Sequence, residues 1–160
     1  MKIMNTGGTF NKRYNPISGE LEVPFDNLAV EEIVKHFSYE VDIAGMLYKD
    51  SLEMDQIDRD QLTAILSADD EDVFVVVHGT DTMHLTAEQL AEYLPNRVIV
   101  LVGAMTPFSI DKSEASLNLG MALGFAATQP AAGVYICMSG IIAPYDRIEK
   151  NRDVGRFEIV

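Results

Sequence analysis

The 160-residue sequence predicts an α/β fold, a mostly parallel sheet flanked by helices, and three observations predict it. Runs rich in β-branched residues alternate several times with runs of helical period, the pattern of βα units. The most apolar runs, Asp72 to Val77 and Arg97 to Val102, are continuous rather than alternating, as strands buried on both faces require. Polar, glycine-containing segments follow the strands, where an open parallel sheet presents its loops and helix N-termini.

In chain order, the first strand is expected at Lys2 to Asn5, ending in Thr6-Gly7-Gly8-Thr9. Phe10 to Asp26 reads as a long irregular stretch, because Asn11, Asn15, Pro16, Ser18, Gly19 and Pro24 supply turn chemistry. Loops of that length inside a compact domain are usually lids or disordered segments. Asn27 to Phe37 reads as a helix with Leu28, Ile33 and Val34 inward, and Val41 to Leu47 as a strand ending near Asp50-Ser51. Asp58 to Ala68 is a second helix with Leu62, Ile65 and Leu66 on one face. The strand at Asp72 to Val77 runs into His78-Gly79-Thr80-Asp81-Thr82, and Thr86 to Leu94 is helical. The strand at Arg97 to Val102 runs into Gly103-Ala104-Met105, and Ser113 to Thr128 is a long apolar helix carrying Leu117, Leu119, Met121 and Leu123. Gly133 to Met138 gives a fifth strand, Gly140 to Pro144 returns as a hairpin, and Phe157 to Val160 is a last short strand. There is no internal repeat, low-complexity tract or interdomain linker, so residues 1–160 are expected to form a single domain.

Composition narrows the function. Twelve Lys plus Arg stand against 25 Asp plus Glu, a formal charge of −13, and 48% of residues are hydrophobic, enough to bury a core. That acidity repels phosphate backbones and anionic lipid, so neither nucleic acid nor a membrane surface is an expected partner. The nearest basic cluster, Lys150 to Arg156, is interrupted by Asp153. No apolar run approaches membrane-spanning length, Val98 to Met105 being the longest candidate, and Met1 to Asn5 is too short for a signal peptide. One cysteine, Cys137, cannot form an internal disulfide, and a cytoplasmic location is the expectation.

The chemistry-bearing groups gather at the expected strand ends. Hydroxyls at Thr9, Ser51, Thr80 and Thr82 add donors and candidate nucleophiles. A threonine hydroxyl is a weak nucleophile unless a neighbouring base or charge activates it, and a phenol, a lysine or one of the three histidines (His36, His78, His84) can serve. One Cys and scattered His offer no ligand spacing for a metal, and Gly7-Gly8 lacks the downstream Gly-Lys-Ser/Thr of a P-loop. Taken singly, each feature also has a plain structural reading. Thr6 to Thr9 can be a βα turn, Asp81 can cap the following helix, and His78 reads first as a hydrogen-bonded scaffold residue. Cys137 reads as a small buried hydrophobe, Lys150 as a solvated charge and Tyr14 as a loop aromatic.

Their order and spacing change the reading. Thr6-Gly7-Gly8-Thr9 near the amino terminus, His78-Gly79-Thr80-Asp81-Thr82-Met83 after a central strand, and Val102-Gly103-Ala104-Met105 with Pro107 and Asn118-Leu119 together resemble the L-asparaginases of the bacterial type. The resemblance covers nearly the whole chain and implies a Rossmann-like sheet. It implies hydrolysis of the side-chain amide of L-asparagine, often glutamine too, to the acid and ammonia, with no cofactor and no metal. Thr9 matches the family's nucleophile, which forms an acyl-enzyme. Thr80, Asp81 and a lysine twelve residues after Met138, Lys150, match its second catalytic group. Asp81 matches the residue that holds the substrate ammonium, and Ser51 the serine that grips the α-carboxylate. Main-chain groups around Thr80 and Ala104 are candidates for holding the amide oxygen as charge develops. Tyr14, five residues after Thr9, is the only tyrosine in the lid-like loop and is taken as the phenol beside it.

Three departures stand out. Leu52 replaces a usually polar residue beside Ser51, Glu114 replaces a common aspartate, and the chain is short: family members commonly carry a second domain that reaches a neighbouring protomer's site. The expectation is therefore a single-domain amidohydrolase without a C-terminal domain, acting on a small molecule as a homodimer. Deamidation of glutamine or another small amide, and a non-catalytic amino-acid-binding module, are the alternatives.

Overall fold

The computed structural model describes residues 1–160. Strand β1 (Lys2–Gly7) leads through a 3-10 turn (Thr9–Asn11) into a hairpin of β2 (Arg13–Asn15) and β3 (Glu20–Glu22). Helix α1 (Leu28–Val34), β4 (Asp42–Lys49), α2 (Gln56–Ala68), β5 (Val73–Val77), α3 (Met83–Tyr93), β6 (Val98–Val102), α4 (Lys112–Ala127) and β7 (Gly133–Met138) then alternate. The chain finishes with β8 (Ile141–Pro144), a second 3-10 turn (Tyr145–Arg147), β9 (Ile148–Asn151) and β10 (Arg156–Ile159).

The six-stranded sheet has the order β4-β1-β5-β6-β7-β8. Every pairing in it is parallel except β7 with β8. The exception has a local cause. Only Ser139 (φ 55°) and Gly140 (φ 79°) separate those strands, and two successive positive φ values make the primed turn that matches strand twist.

The sheet is buried on both faces, so its central strands divide their side chains between two cores. Phe74 and Val76 pack with Leu62 and Leu66 of α2 and Met83 and Leu90 of α3. Val75 and Val77 pack with Val30 of α1 and Leu119 and Leu123 of α4. This is a three-layer α/β/α arrangement, as the continuous apolar runs require.

Two helix-face expectations are corrected: Leu28 (54% exposed) and Ile65 (43%) face solvent, while Val30 and Leu62 with Leu66 are buried. On α4, Leu119 and Leu123 are buried and Leu117 is exposed. In each case apolar side chains occupy more than one row of the helix, and the sheet takes only the row facing it. Two local elements also lie outside the sequence expectations. The stretch Phe10 to Asp26 contains the β2–β3 hairpin, held by the cross-strand pair Tyr14 and Leu21 and turned at Gly19 (φ 78°). Strand β9 leaves no apolar pattern because only Ile148 of its four residues is buried; it pairs antiparallel with β10.

All five parallel strands end on one edge. The loops after β1, β4, β5 and β6 therefore meet there, bringing Thr9, Ser51, Thr80 and Ala104 to one side of the sheet.

Candidate active site

Glycine lets these loops touch backbone to backbone. Gly8 adopts φ 75° and ψ −179°, a conformation close to glycine-only, and a Cβ there would lie 2.5 Å from the Gly79 Cα and nitrogen. A Cβ on Gly79 would meet the Ser51 side chain at 2.6 Å, and one on Gly103 would meet the His78 carbonyl at 2.6 Å. Hence four loops form one packed rim. Gly8→Ala combines a forbidden backbone region with a backbone clash, and a loss of about 3 kcal/mol or more in unfolding free energy is expected. Urea denaturation measures it; a loss below about 1 kcal/mol would mean the rim is loose.

The first loop is further braced from within. Asn11 Nδ2 donates to the Gly7 carbonyl at 2.7 Å, the Gly7 amide donates to Asn5 Oδ1 at 3.2 Å, and the Phe108 amide donates to the Phe10 carbonyl at 3.2 Å. With Phe10 fully buried, Thr9 is carried at the rim between fixed neighbours, itself partly exposed. On the β4 side, Leu47 (φ 65°) and Tyr48 (φ 49°) take left-handed backbone beside a break in the β1–β4 register. That bend brings the Lys49 carbonyl to accept from the Gly8 amide at 2.8 Å. The Lys49 ammonium pairs with Asp58, whose carboxylate completes the capping box of α2.

At the centre, Lys150 Nζ donates to Thr80 Oγ1 at 2.8 Å and to Asp81 Oδ1 at 2.9 Å. Lys150 comes from β9 and the other two from the loop after β5, so the hydrogen bonds close a gap of about 70 positions in sequence. Thr80 is only 5% exposed. Asp81 Oδ1 also accepts from Arg152 Nη1 at 2.6 Å, and the Asp81 carbonyl from Arg152 Nη2 at 3.1 Å. Partial burial pushes the Asp81 carboxyl up, but the hydrogen bonds from Lys150 and Arg152 outweigh it and hold its pKa below the usual carboxylate value. Asp81 is thus an anion clasped by two cations rather than a helix cap; the N-cap of α3 is Thr82. Ser51, 1% exposed, accepts at Oγ from the backbone amides of Asp81 (3.2 Å) and Thr82 (3.4 Å), while Thr82 Oγ1 donates to the Ser51 carbonyl at 2.7 Å.

A buried relay supports this loop from below. Arg59, 7% exposed, donates to Thr82 Oγ1 (3.0 Å), Thr86 Oγ1 (3.2 Å) and the carbonyls of Met54 (3.2 Å) and Asp55 (3.0 Å). Thr86 Oγ1 lies 2.9 Å from His78 Nε2, and His78 Nδ1 lies 2.8 Å from the Gly79 carbonyl. A carbonyl only accepts, so Nδ1 carries the hydrogen and Nε2 accepts from Thr86. Full burial drives the His78 pKa down to about 4, against a weaker opposing pull from the Gly79 carbonyl. His78 is therefore a neutral scaffold residue, in line with its plain structural reading.

Neutral His78 makes the fold acid-sensitive. The unfolded chain protonates this imidazole below about pH 6.5 and the folded chain does so only near pH 4, so the unfolded state binds more protons between those values. Stability should fall by on the order of 3 kcal/mol as pH drops through that window, before the lowered carboxylates such as Asp58 and Asp81 begin to protonate. Melting curves from pH 7 to pH 4 measure it, and a flat profile would exclude a neutral buried His78.

Of the residues expected from sequence, Ser51, Thr80, Asp81 and Lys150 are joined by direct or shared hydrogen bonds. Thr9 and the buried Ala104 stand on the adjoining loops. Tyr14 stands apart in character: on β2, 64% exposed, it leaves its phenol in water. Thr82, expected only as one of the strand-end hydroxyls, serves here as a brace, and Arg152, Arg59 and Thr86 join the site without having been expected there. Arg152 lies in the short basic cluster; Arg59 carries no sequence signal, since it sits one residue after Asp58 in an ordinary polar helix start. Glu114 is structural, accepting the Met105 and Thr106 amides at 2.9 and 3.0 Å and so bracing the loop after β6.

The same fold occurs in known proteins. The family model described as "Asparaginase, N-terminal" matches residues 1–156. The D-type subunit of glutamyl-tRNA(Gln) amidotransferase from Methanococcus maripaludis is 32% identical over 151 residues, covering 88% of this chain and 35% of the relative. Its counterpart from Thermococcus kodakarensis is also 32% identical, over 86% of this chain and 33% of its own length. Among solved structures, the thermostable L-asparaginase from Thermococcus kodakarensis superposes with TM-score 0.85 at 26% identity, covering 100% of this chain and 51% of that one. L-asparaginase I from Vibrio cholerae shares the fold, with TM-score 0.80 at 23% identity over 99% of this chain and 50% of that one. The chain thus spans about a third of the length of these curated relatives. With the family model matching residues 1–156 and the fold shared with a solved L-asparaginase, the chain belongs to the asparaginase family through that family's N-terminal domain.

Proposed function

We propose that this site hydrolyses the side-chain amide of small carboxamides, L-asparagine among them, through a threonine ester. One observation carries the reading: Lys150 Nζ lies within hydrogen-bond distance of both Thr80 Oγ1 and Asp81 Oδ1, on the rim shared with Thr9. In the first step Thr9 Oγ bonds to the amide carbon and the C–N bond breaks. The nitrogen leaves as ammonia, with a net gain of the proton that Thr9 loses. Water then splits the ester, restoring the hydroxyl and releasing the acid. Because Lys150 donates to Thr80 Oγ1, the Thr80 hydrogen is free to meet the amide or the incoming water. Backbone amides near Thr80 and Ala104 face the developing oxyanion in this reading, and the exposed Tyr14 is the phenol it assigns to Thr9.

A coupled ammonia assay with asparagine and glutamine tests the reading. Release from at least one is expected; binding of either amino acid with no release would leave a non-catalytic binding module. The amidotransferase relatives support a second reading, an amidohydrolase domain that works within an assembly. Self-association is the simpler assembly, and a homodimer is expected by sedimentation at micromolar concentration; a strict monomer would oppose it. No helix of the structure is long and apolar enough to cross a membrane.

A further inference from the structure

Arg59 is a buried charge that no catalytic step uses. It lies on α2, 7% exposed, and no carboxylate pairs with it, since its neighbour Asp58 is taken by Lys49. Burying a guanidinium without a counter-charge is costly, and an apolar side chain of equal volume usually serves packing at least as well. What the charge supplies here is donors. Its hydrogen bonds tie the start of α2, at the Met54 and Asp55 carbonyls, to Thr82 and Thr86 at the start of α3.

The direction of these bonds matters more than their number. A guanidinium only donates, so each threonine oxygen that accepts from Arg59 keeps its own hydrogen for a further acceptor. Thr82 gives its hydrogen to the Ser51 carbonyl at 2.7 Å, and Thr86 gives its hydrogen to His78 Nε2 at 2.9 Å. His78 Nδ1 in turn holds the Gly79 carbonyl at 2.8 Å. The Gly79–Thr80 peptide is planar and trans, so a carbonyl fixed toward His78 turns the Thr80 amide the opposite way. That amide has no acceptor within the chain although Thr80 is only 5% exposed, which leaves an unspent donor beside the Thr80 hydroxyl.

We infer that Arg59 is a positioning residue: through Thr82, and through Thr86 and His78, it orders residues 79–82 from inside the fold and aims the Thr80 amide at the oxygen of the substrate's amide. The kinetic part of this rests on the amide-hydrolysis reading above, and the ordering of the loop rests on geometry alone.

The experiment compares wild type, Arg59→Met, Thr86→Val and the double variant by steady-state ammonia release from asparagine and glutamine and by NMR relaxation of the backbone amides. In Arg59→Met, kcat should fall by about tenfold to a hundredfold while KM stays within about threefold, because the lost interaction is one made only as charge develops. Order parameters at residues 79–82 should drop from about 0.85 toward about 0.6, with the sheet unchanged. Thr86→Val is isosteric and cuts only the relay to His78, so its loss should be smaller, and the double variant should be within about twofold of Arg59→Met because both changes act in one chain. A kcat within about threefold of wild type, additive losses in the double variant, or unchanged order at residues 79–82 in folded Arg59→Met overturns the inference. If wild type releases no ammonia while Arg59→Met loosens residues 79–82, the hydrolytic reading fails and the ordering of the loop stands. If Arg59→Met does not fold, Thr86→Val decides by the same readouts: a lowered kcat at constant KM with a looser loop supports the inference, and wild-type values overturn it.

Discussion

Thr9→Ala is expected to remove ammonia release from every amide the protein turns over, by at least about a thousandfold in kcat, the usual scale for losing a covalent nucleophile. The loss should appear with the fold intact. Thr9 is partly exposed, and its position comes from its buried neighbour Phe10 and from the Asn5–Asn11 network rather than from its own methyl group. Unfolding free energy should therefore stay within about 0.5 kcal/mol of wild type. Steady-state ammonia release with a parallel urea melt separates the two effects, and a variant that loses activity only because it unfolds would not support the assignment.

Lys150→Met is expected to lower kcat by about a hundredfold to ten-thousandfold, the range for removing a positioned proton-transfer group. The reasoning is geometric. Lys150 is the group that donates to Thr80 Oγ1, so its loss leaves that oxygen without the donor that orients the hydroxyl and leaves Asp81 paired only with Arg152. Methionine preserves most of the apolar stem and leaves the β9–β10 pairing of Lys150 with Phe157 in place, so packing should change little. If kcat holds within about threefold, Thr80 does not depend on Lys150 and the second catalytic group is wrongly drawn.

The fold was legible because its strongest signal is simple. Two strands buried on both faces must read as unbroken apolar runs, and β5 and β6 do. Parallel strands also need crossovers, which fixed the helix positions between them and the common edge for their loops. The short strands were not legible, since β2, β3 and β9 bury almost nothing and hold their places through pairing partners distant from any local pattern. The same division runs through the site. Thr9, Ser51, Thr80 and Asp81 stand in strand-end loops, where residue type and position together carry meaning. Lys150 was reached through the family resemblance alone. Arg59 and Arg152 act across the tertiary structure, one from inside a helix and one from a hairpin turn, and nothing near them in sequence marks an arginine as buried or as a carboxylate's second partner.

The Asp81 cluster also shows why overall charge was a poor guide to the site. A chain with formal charge −13 carries a locally positive cluster at its candidate centre, because Lys150 and Arg152 converge on a single carboxylate. Contacts of 2.6 and 2.9 Å fix this cluster locally, while most of the chain's exposed charges lie where solvent screens them within about 10 Å.

The most direct measurement is the site of acylation during turnover. Protein mixed with amide, quenched in acid and digested, should show by mass spectrometry the substrate's acyl group on the peptide containing Thr9, and Thr9→Ala should show neither the adduct nor ammonia release. An acyl group on Thr80 instead, or full ammonia release by Thr9→Ala, would contradict a threonine ester at Thr9.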